Sequence, residues 1–285
     1  MRVLLTVAAL LFSFSAPAQN IVTDATIDLP TSKVFYRDSG GKGIPVVFLH
    51  AGSGNSMMWE HQIPVFIKAG YRFIAIDYRG VDNAAAGSGG GKSMQLIDEL
   101  VSKLGLQKFH LLGTAGGGGT AMQYAMANPD KLRSLIVTNS TGNVQDTNAS
   151  TAVSRTRPAM FSQLPLEFRE LGPSYRYANP EGVQRWLALS SEREGNGPGD
   201  PSTTPRTNPV QNRNTVTWEK LTAFKVPTLM MTGDADLYTP PSALRQFATR
   251  MKQAEWAITP DSGHSSYWEN PEAFNSRVLK FIKKH

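Results

Sequence analysis

The chain has 285 residues, of which 40% are apolar and 18% charged, with a formal charge of +6 and no cysteine. That length and apolar content suffice for a buried core, in one α/β domain with an insertion or in two small domains. The missing cysteines exclude disulfides, thiolate metal sites and a cysteine nucleophile, and the basic residues are scattered, which gives no support to a nucleic-acid partner.

The first segment reads as a leader. Arg2 supplies a positive start, residues 3–14 are apolar, and Ala16-Pro17-Ala18 carries the small-residue pattern that a signal peptidase cuts. Residues 1–18 are therefore expected to be a cleaved signal peptide and the mature chain to be secreted or periplasmic. The run is too short to span a bilayer, which takes roughly 20 apolar residues. No later run is longer, so stable membrane insertion is not expected.

Strand signals follow at 21–28 and 33–38, then a buried strand at 45–49 that ends in a loop over 50–56. Residues 58–69 predict a helix closed by Gly70, and 71–76 a second buried strand. Met94, Ile97, Leu100, Val101 and Leu104 share one face of a helix over 93–104, with Gly105 at its C-cap. A strand at 109–112, a helix at 120–127 and a strand at 132–137 continue the series. Short apolar strands alternating with helices predict an α/β fold, a mostly parallel sheet covered on both faces.

The pattern breaks over 141–215, where no strand is convincing. Helical pieces such as 180–190 and a Gly/Pro/Ser/Thr-rich loop at 194–209 stand instead. This stretch is expected to be a helical cap inserted into a core formed by 19–140 and 216–285. Regular structure resumes with a strand at 228–231, a helix at 241–251, a weaker strand at 255–258 and a last helix at 271–283.

Four places carry chemistry. In Gly113-Thr114-Ala115-Gly116-Gly117 a strand meets a helix with glycines flanking the tight turn that a G-x-S-x-G elbow requires, but the central position is Ala115. Gly233-Asp234-Ala235-Asp236 follows a buried strand. Asp261-Ser262-Gly263-His264 precedes Ser265-Ser266-Tyr267-Trp268-Glu269-Asn270-Pro271. The loop His50-Ala51-Gly52-Ser53-Gly54 follows the strand ending at Leu49.

Elbow, then acid, then histidine is the chain order of α/β-hydrolases, and over about 30–140 and 225–285 the chain resembles that family. The resemblance implies an α/β-hydrolase fold with a helical cap and matches Asp236 to the triad acid and His264 to the base. It matches His50–Gly54 to the H-G-x-G oxyanion loop, with Ala51 in place of its first glycine. The backbone N–H groups of Gly52 or Ala51 and of Gly116 would then hold an oxyanion. A small-molecule substrate and no cofactor are implied.

Two other glycine-rich stretches do not fit their motifs. Ala86 stands where a Walker A loop at 87–93 would need its first glycine, and Ala115 stands where a dinucleotide fingerprint begun at Gly113 would need its second. His50, His61, His110, His264 and His285 show no metal-ligand spacing.

Ala115 changes the chemistry. Losing a triad nucleophile costs on the order of 10⁶ in kcat in a protease precedent, while the oxyanion hole and binding alone leave roughly 10³–10⁴ over water. The acyl-enzyme route is therefore closed to this sequence, and three readings stay open. The His264–Asp236 dyad acts directly as a general base on water or on the substrate, with Thr114, Ser53, Ser265 or Ser140 as assisting hydroxyls. Ala115 replaces the serine of an ordinary hydrolase. Or the protein is a noncatalytic ligand-binding member of the fold.

In the cap, Trp186, Phe161 and Arg155 are candidate substrate contacts. Every fixed cation between Leu132 and Trp218 is arginine, which suits a carboxylate-bearing apolar or aromatic substrate.

Overall fold

The computed structural model describes residues 22–30, 33–77, 91–191 and 216–285. The expected leader, residues 87–90 of the glycine-rich stretch, the loop at 194–209 and the end of the expected cap lie outside the described residues.

Among the described residues eight strands form one sheet: β1 (Thr23–Asp28), β2 (Lys33–Asp38), β3 (Pro45–Leu49), β4 (Arg72–Ile76), β5 (Phe109–Thr114), β6 (Leu132–Thr138), β7 (Thr228–Gly233) and β8 (Ala254–Thr259). Their spatial order is β1-β2-β4-β3-β5-β6-β7-β8. β1 and β2 pair antiparallel, as do β2 and β4, while β4 through β8 run parallel. The fold is α/β with a mostly parallel sheet, as the sequence implies. All the parallel strands therefore deliver their C-terminal ends, and the loops that follow, to one edge.

Side-chain alternation along the strands feeds two cores, one per face. Val47, Leu49, Ile74, Ile76, Leu111, Leu135, Val137 and Met230 pack against α2 (Gly91–Lys103), α3 (Gly116–Ala127) and α9 (Pro241–Ala248). Val46, Phe48, Phe73, Leu112, Ile136, Leu229 and Met231 pack on the other face against α1 (Ile63–Lys68), the short α10 (Ser266–Glu269) and α11 (Pro271–Ile282). Phe48 is the hub of that second core, with Phe73 at 4.5 Å and Phe66 and Trp59 at 5.1 Å between ring centroids. Each such aromatic contributes about 1.5–3 kcal/mol by burial.

The helix expected over 58–69 is broken in two. Asn55 accepts from Met57 N and caps a short 3₁₀ turn, Ser56–Trp59, and α1 starts only at Ile63. Pro64 is the reason: it lacks an N–H and fits the first turn of a helix rather than its interior. The helix expected at 120–127 begins four residues earlier, because the glycine run continues the elbow directly into α3.

Between β6 and β7 the chain makes a helical excursion: α4 (Thr147–Ser154), α5 (Leu166–Glu170), α6 (Pro173–Ala178) and α7 (Pro180–Ser191). A parallel bridge between Val144 and Val216 joins its outgoing and returning ends, after which α8 (Trp218–Ala223) leads into β7. The excursion is tied to the strand-end loops by Asn55 Nδ2 donating to Leu189 O at 3.0 Å and by His264 N donating to Glu170 O at 2.9 Å. Among the described residues no helix is long and apolar enough to cross a membrane.

Candidate active site

The elbow is built as a nucleophile elbow would be, without the nucleophile. Ala115 sits at φ 51° and ψ −117° between β5 and α3, a region that L residues rarely adopt and that costs about 1–3 kcal/mol. Its N–H donates to Thr138 O of β6 at 2.8 Å, and its carbonyl accepts from Gly119 N at 3.2 Å. The flanking glycines are steric necessities: a Cβ on Gly113 would lie 2.2 Å from Gly117 O, and one on Gly117 would lie 2.5 Å from Leu49 O and His50 O. Ala115 is half-buried and Gly116 exposed, so the turn presents its apex outward from the sheet. Gly116 opens α3 with no side chain capping that end, which leaves the helix's positive end at the apex.

The loop after β3 lies beside it. Gly54 N donates to Ala51 O at 3.2 Å, and His50 Nδ1–H donates to the same carbonyl at 2.7 Å. His50 Nε2 stands 3.8 Å from Asp77, whose carboxylate also accepts from Ser56 N at 2.6 Å. Ala51 is buried and Gly52 half-buried.

The acid and the histidine meet across the ends of β7 and β8. His264 Nδ1 lies 2.9 Å from Asp236 Oδ1 and 3.0 Å from Oδ2. A carboxylate there fixes the proton on Nδ1 and leaves Nε2 as the basic nitrogen. Asp236 is saturated by further donors: Tyr238 N and Thr239 N at 2.8 and 2.9 Å, Asn139 Nδ2 at 3.0 Å and the Thr232 hydroxyl at 2.8 Å. Burial pushes the Asp236 carboxyl up, but the His264 charge, its hydrogen bond and the Thr239 and Asn139 donors prevail and hold it at about 2. Burial pushes His264 down, and the Asp236 charge and its hydrogen bond outweigh that, so the imidazole is more basic than usual.

Close approach of the two loops depends on Gly233, where a Cβ would lie 2.1 Å from Ser262 O. The Asp234 carboxylate, which accepts from Asp261 N and Ser262 N at 3.0 Å each, steadies the turn.

The other histidines have different occupations. His110 is buried in β5, where it meets Ser134 Oγ at 2.8 Å, and burial pushes it down to about 4. His61 packs on Trp268, and His285 on Phe281.

His264, Asp236 and Ala115 thus stand at the C-terminal edge of the parallel sheet, with Ala51, Gly52 and Gly116 on the loops beside them. The cap candidates divide. Phe161 packs edge-on against Tyr238 at 5.0 Å, and Tyr238 stacks on the His264 ring at 4.2 Å. Trp186 is 0% exposed and belongs to the core of the Phe48 face. Arg155 is exposed at the end of α4. Arg157, two residues on, lies over the Tyr238 ring at 4.8 Å and donates to Leu237 O at 3.3 Å. Of the candidate hydroxyls, Ser53 donates to Glu170 Oε2 at 3.3 Å and Ser140 accepts from Gly142 N at 3.2 Å, while Thr114 is wholly buried in the strand.

Several residues escape sequence reasoning. Asn139, at φ 52° just after β6, links Asp236, Gly263 O at 3.1 Å and the Ser266 hydroxyl at 2.7 Å. Glu269 sits inside the histidine motif, and its buried carboxylate accepts from Gly263, Ser265 and Gly172 N–H groups. Glu170 and Tyr238 carry no sequence signal of any kind.

This sheet order, with an elbow after β5, an acid after β7 and a histidine after β8, defines the α/β-hydrolase architecture. Residues 44–271 match the family model for the α/β hydrolase fold, and the chain belongs to that family. Among similar proteins are the 2-hydroxy-6-oxononadienedioate/2-hydroxy-6-oxononatrienedioate hydrolase of Burkholderia vietnamiensis, 23% identical over 93% of this chain and 94% of the relative, and the AB hydrolase superfamily protein YisY of Bacillus subtilis, 27% identical over 85% and 92%. Similar solved structures include a thermophilic esterase from Thermogutta terrifontis, with a TM-score of 0.73, 22% identity and coverage of 92% of this chain and 98% of the other. The enol-lactonase of Burkholderia xenovorans matches with a TM-score of 0.70, 18% identity and coverage of 91% and 100%.

Proposed function

We propose that this chain is an exported, cofactor-independent enzyme acting on a small carbonyl-, ester- or lactone-like substrate, with His264 oriented by Asp236 as general base and no serine nucleophile. The observation that carries this reading is the buried Asp236–His264 pair, saturated on the acid side and directed by its Nδ1 bond to leave Nε2 basic. A buried carboxylate with five donors is costly to assemble for a protein that only binds. The name of the Burkholderia vietnamiensis relative, a hydrolase of 2-hydroxy-6-oxo dienedioates and trienedioates, supports hydrolysis of a small carbonyl-bearing substrate.

In this reading His264 Nε2 takes a proton from water, and the water oxygen attacks the carbonyl carbon. The developing oxyanion is held by the backbone of the His50–Gly54 loop and by Gly116 at the start of α3. The stretch 141–215 acts as the cap that selects the substrate, with Phe161 and Arg157 as its contribution against Tyr238.

The test is turnover of a panel of aryl esters and lactones by the chain and by His264→Ala. Hydrolysis that disappears with the histidine supports the reading, and equal rates in both proteins refute it. Export is tested separately: the mature protein recovered from periplasm or medium should begin at Gln19, and retention of Met1 would refute the leader.

A further inference from the structure

Two glutamates are buried beside the histidine loop, and only one has a structural occupation. Glu269 accepts three backbone N–H groups, from Gly172 at 2.5 Å, Gly263 at 2.9 Å and Ser265 at 3.1 Å, and thereby bolts the histidine loop to the start of α6. Glu170, 7% exposed at the end of α5, has no such cradle. Its main-chain carbonyl does the structural work, accepting from His264 N at 2.9 Å and Ser265 N at 3.1 Å. Its carboxyl meets the Ser53 hydroxyl of the oxyanion loop at 3.3 Å and faces the Tyr238 hydroxyl, whose ring is stacked on His264. The carboxyl therefore lies between Ser53 of the oxyanion loop and Tyr238, the ring stacked on the base, on a residue that the triad does not use.

We infer that Glu170 is the proton donor of this reaction, delivering to the leaving oxygen the proton that a serine-dependent triad would pass through its histidine. The inference rests on the reading of His264 as general base. His264 removes a proton from water as the water oxygen bonds to the carbonyl carbon. The carbon–oxygen bond to the leaving group then breaks, and the protonated Glu170 gives its proton to that oxygen. The proton on His264 passes to the Glu170 carboxylate and restores both groups, so ester and water become acid and alcohol. For a lactone the leaving oxygen stays on the product and is protonated in the same way.

The surroundings favour the protonated acid. Burial pushes Glu170 up, His264 opposes this, the Asp236 charge adds to it, and Ser53 and Arg169 pull the other way, leaving the group raised. Tyr238, raised by its own burial, stays neutral beside it, as does Tyr267. Arg157, over the Tyr238 ring at 4.8 Å, lowers His264 by its charge. Burial raises the acid and pairing with Asp236 raises the base, so the step requires Glu170 to hold its proton in the pH range where His264 is neutral.

The experiment is a leaving-group series, from 4-nitrophenyl to phenyl to alkyl esters of one acid, with the full chain, Glu170→Gln and His264→Ala, each followed across pH. A 4-nitrophenolate needs no proton to leave, and an alkoxide does. Glu170→Gln is therefore expected to lose on the order of 10²–10³ in kcat/KM on alkyl esters and less than about fivefold on the 4-nitrophenyl ester. The unsubstituted chain gives a check that needs no variant: its rate on alkyl esters should fall at high pH, where Glu170 ionises, while the 4-nitrophenyl rate stays level. Equal losses along the series, or no loss with Glu170→Gln in an active enzyme, overturn the assignment and leave the base intact. A full chain as inert as His264→Ala overturns both.

Discussion

The elbow after β5 and the loops after β7 and β8 have been kept in different ways. At the elbow the backbone is complete: Ala115 retains a positive φ, and Gly113 and Gly117 stand where any Cβ would strike a carbonyl. The group that would react is missing. Across the sheet edge, Asp236 and His264 keep both backbone and chemistry, with a buried charge, a directed imidazole and donors recruited from β6 and β7. Close packing alone explains the elbow's glycines, because the turn must fit against β3 whatever it carries. Packing does not explain Asp236, since a buried carboxylate costs several kcal/mol unless its interactions answer for it. The elbow thus keeps its backbone around an alanine, whereas the other side of the sheet edge keeps a buried, hydrogen-bonded acid–histidine pair.

The largest expected effect falls on the histidine side. His264→Ala should lower kcat/KM on a turned-over ester by on the order of 10³-fold or more, and Asp236→Asn by on the order of 10²–10³, read in steady-state assays. A loss below tenfold for His264→Ala would make the two loops equally silent.

The acid limb of the pH profile sharpens the same point. The catalytic imidazole must be neutral, and Asp236 raises its pKa above 6.5. Activity is therefore absent at low pH and rises through that raised value. In Asp236→Asn the limb should shift to lower pH.

Packing of the two loops is tested by stability. In Gly233→Ala the new methyl would meet Ser262 O and Gly263 O at 2.1 and 2.2 Å, both backbone atoms that cannot swing aside. Denaturant unfolding should show a loss of about 3 kcal/mol.

How far the molecule could be read from its sequence follows the same division. β3 has the bounds its apolar run predicts, and Asp236 and His264 announce themselves because each follows a strand in a short motif whose order has a chemical meaning. Asn139 is invisible because its role is a contact across 97 residues to Asp236 and 124 to Gly263, made only when three strand ends come together. Glu170 looks like one more polar residue on a short helix, and nothing in Leu166–Glu170 says that its carboxyl turns inward. The helix expected at 58–69 failed because apolar spacing outweighed Pro64, although proline alone locates the break.

The smallest expected effects separate strain from chemistry. Ala115→Gly should leave activity unchanged and stabilise the fold by about 1 kcal/mol at most, since glycine adopts the positive φ without cost. Glu269, pushed up to about 7 mainly by burial, binds its proton more tightly folded than unfolded. Stability should therefore decline as pH rises from about 4.5 to 7, with a slope no steeper than about 1.4 kcal/mol per pH unit. Glu269→Gln should flatten that decline in unfolding curves taken across the window.

In the proposed mechanism this site attacks its substrate with water and not with a side chain. It is tested most directly by rapid mixing with an activated aryl ester, while the intact protein mass is followed, for the chain and for Ala115→Ser. Linear turnover with no burst and no mass gain is expected for the chain, and a burst with an acyl adduct at position 115 for Ala115→Ser. A burst with an acyl adduct on the unsubstituted chain would contradict it.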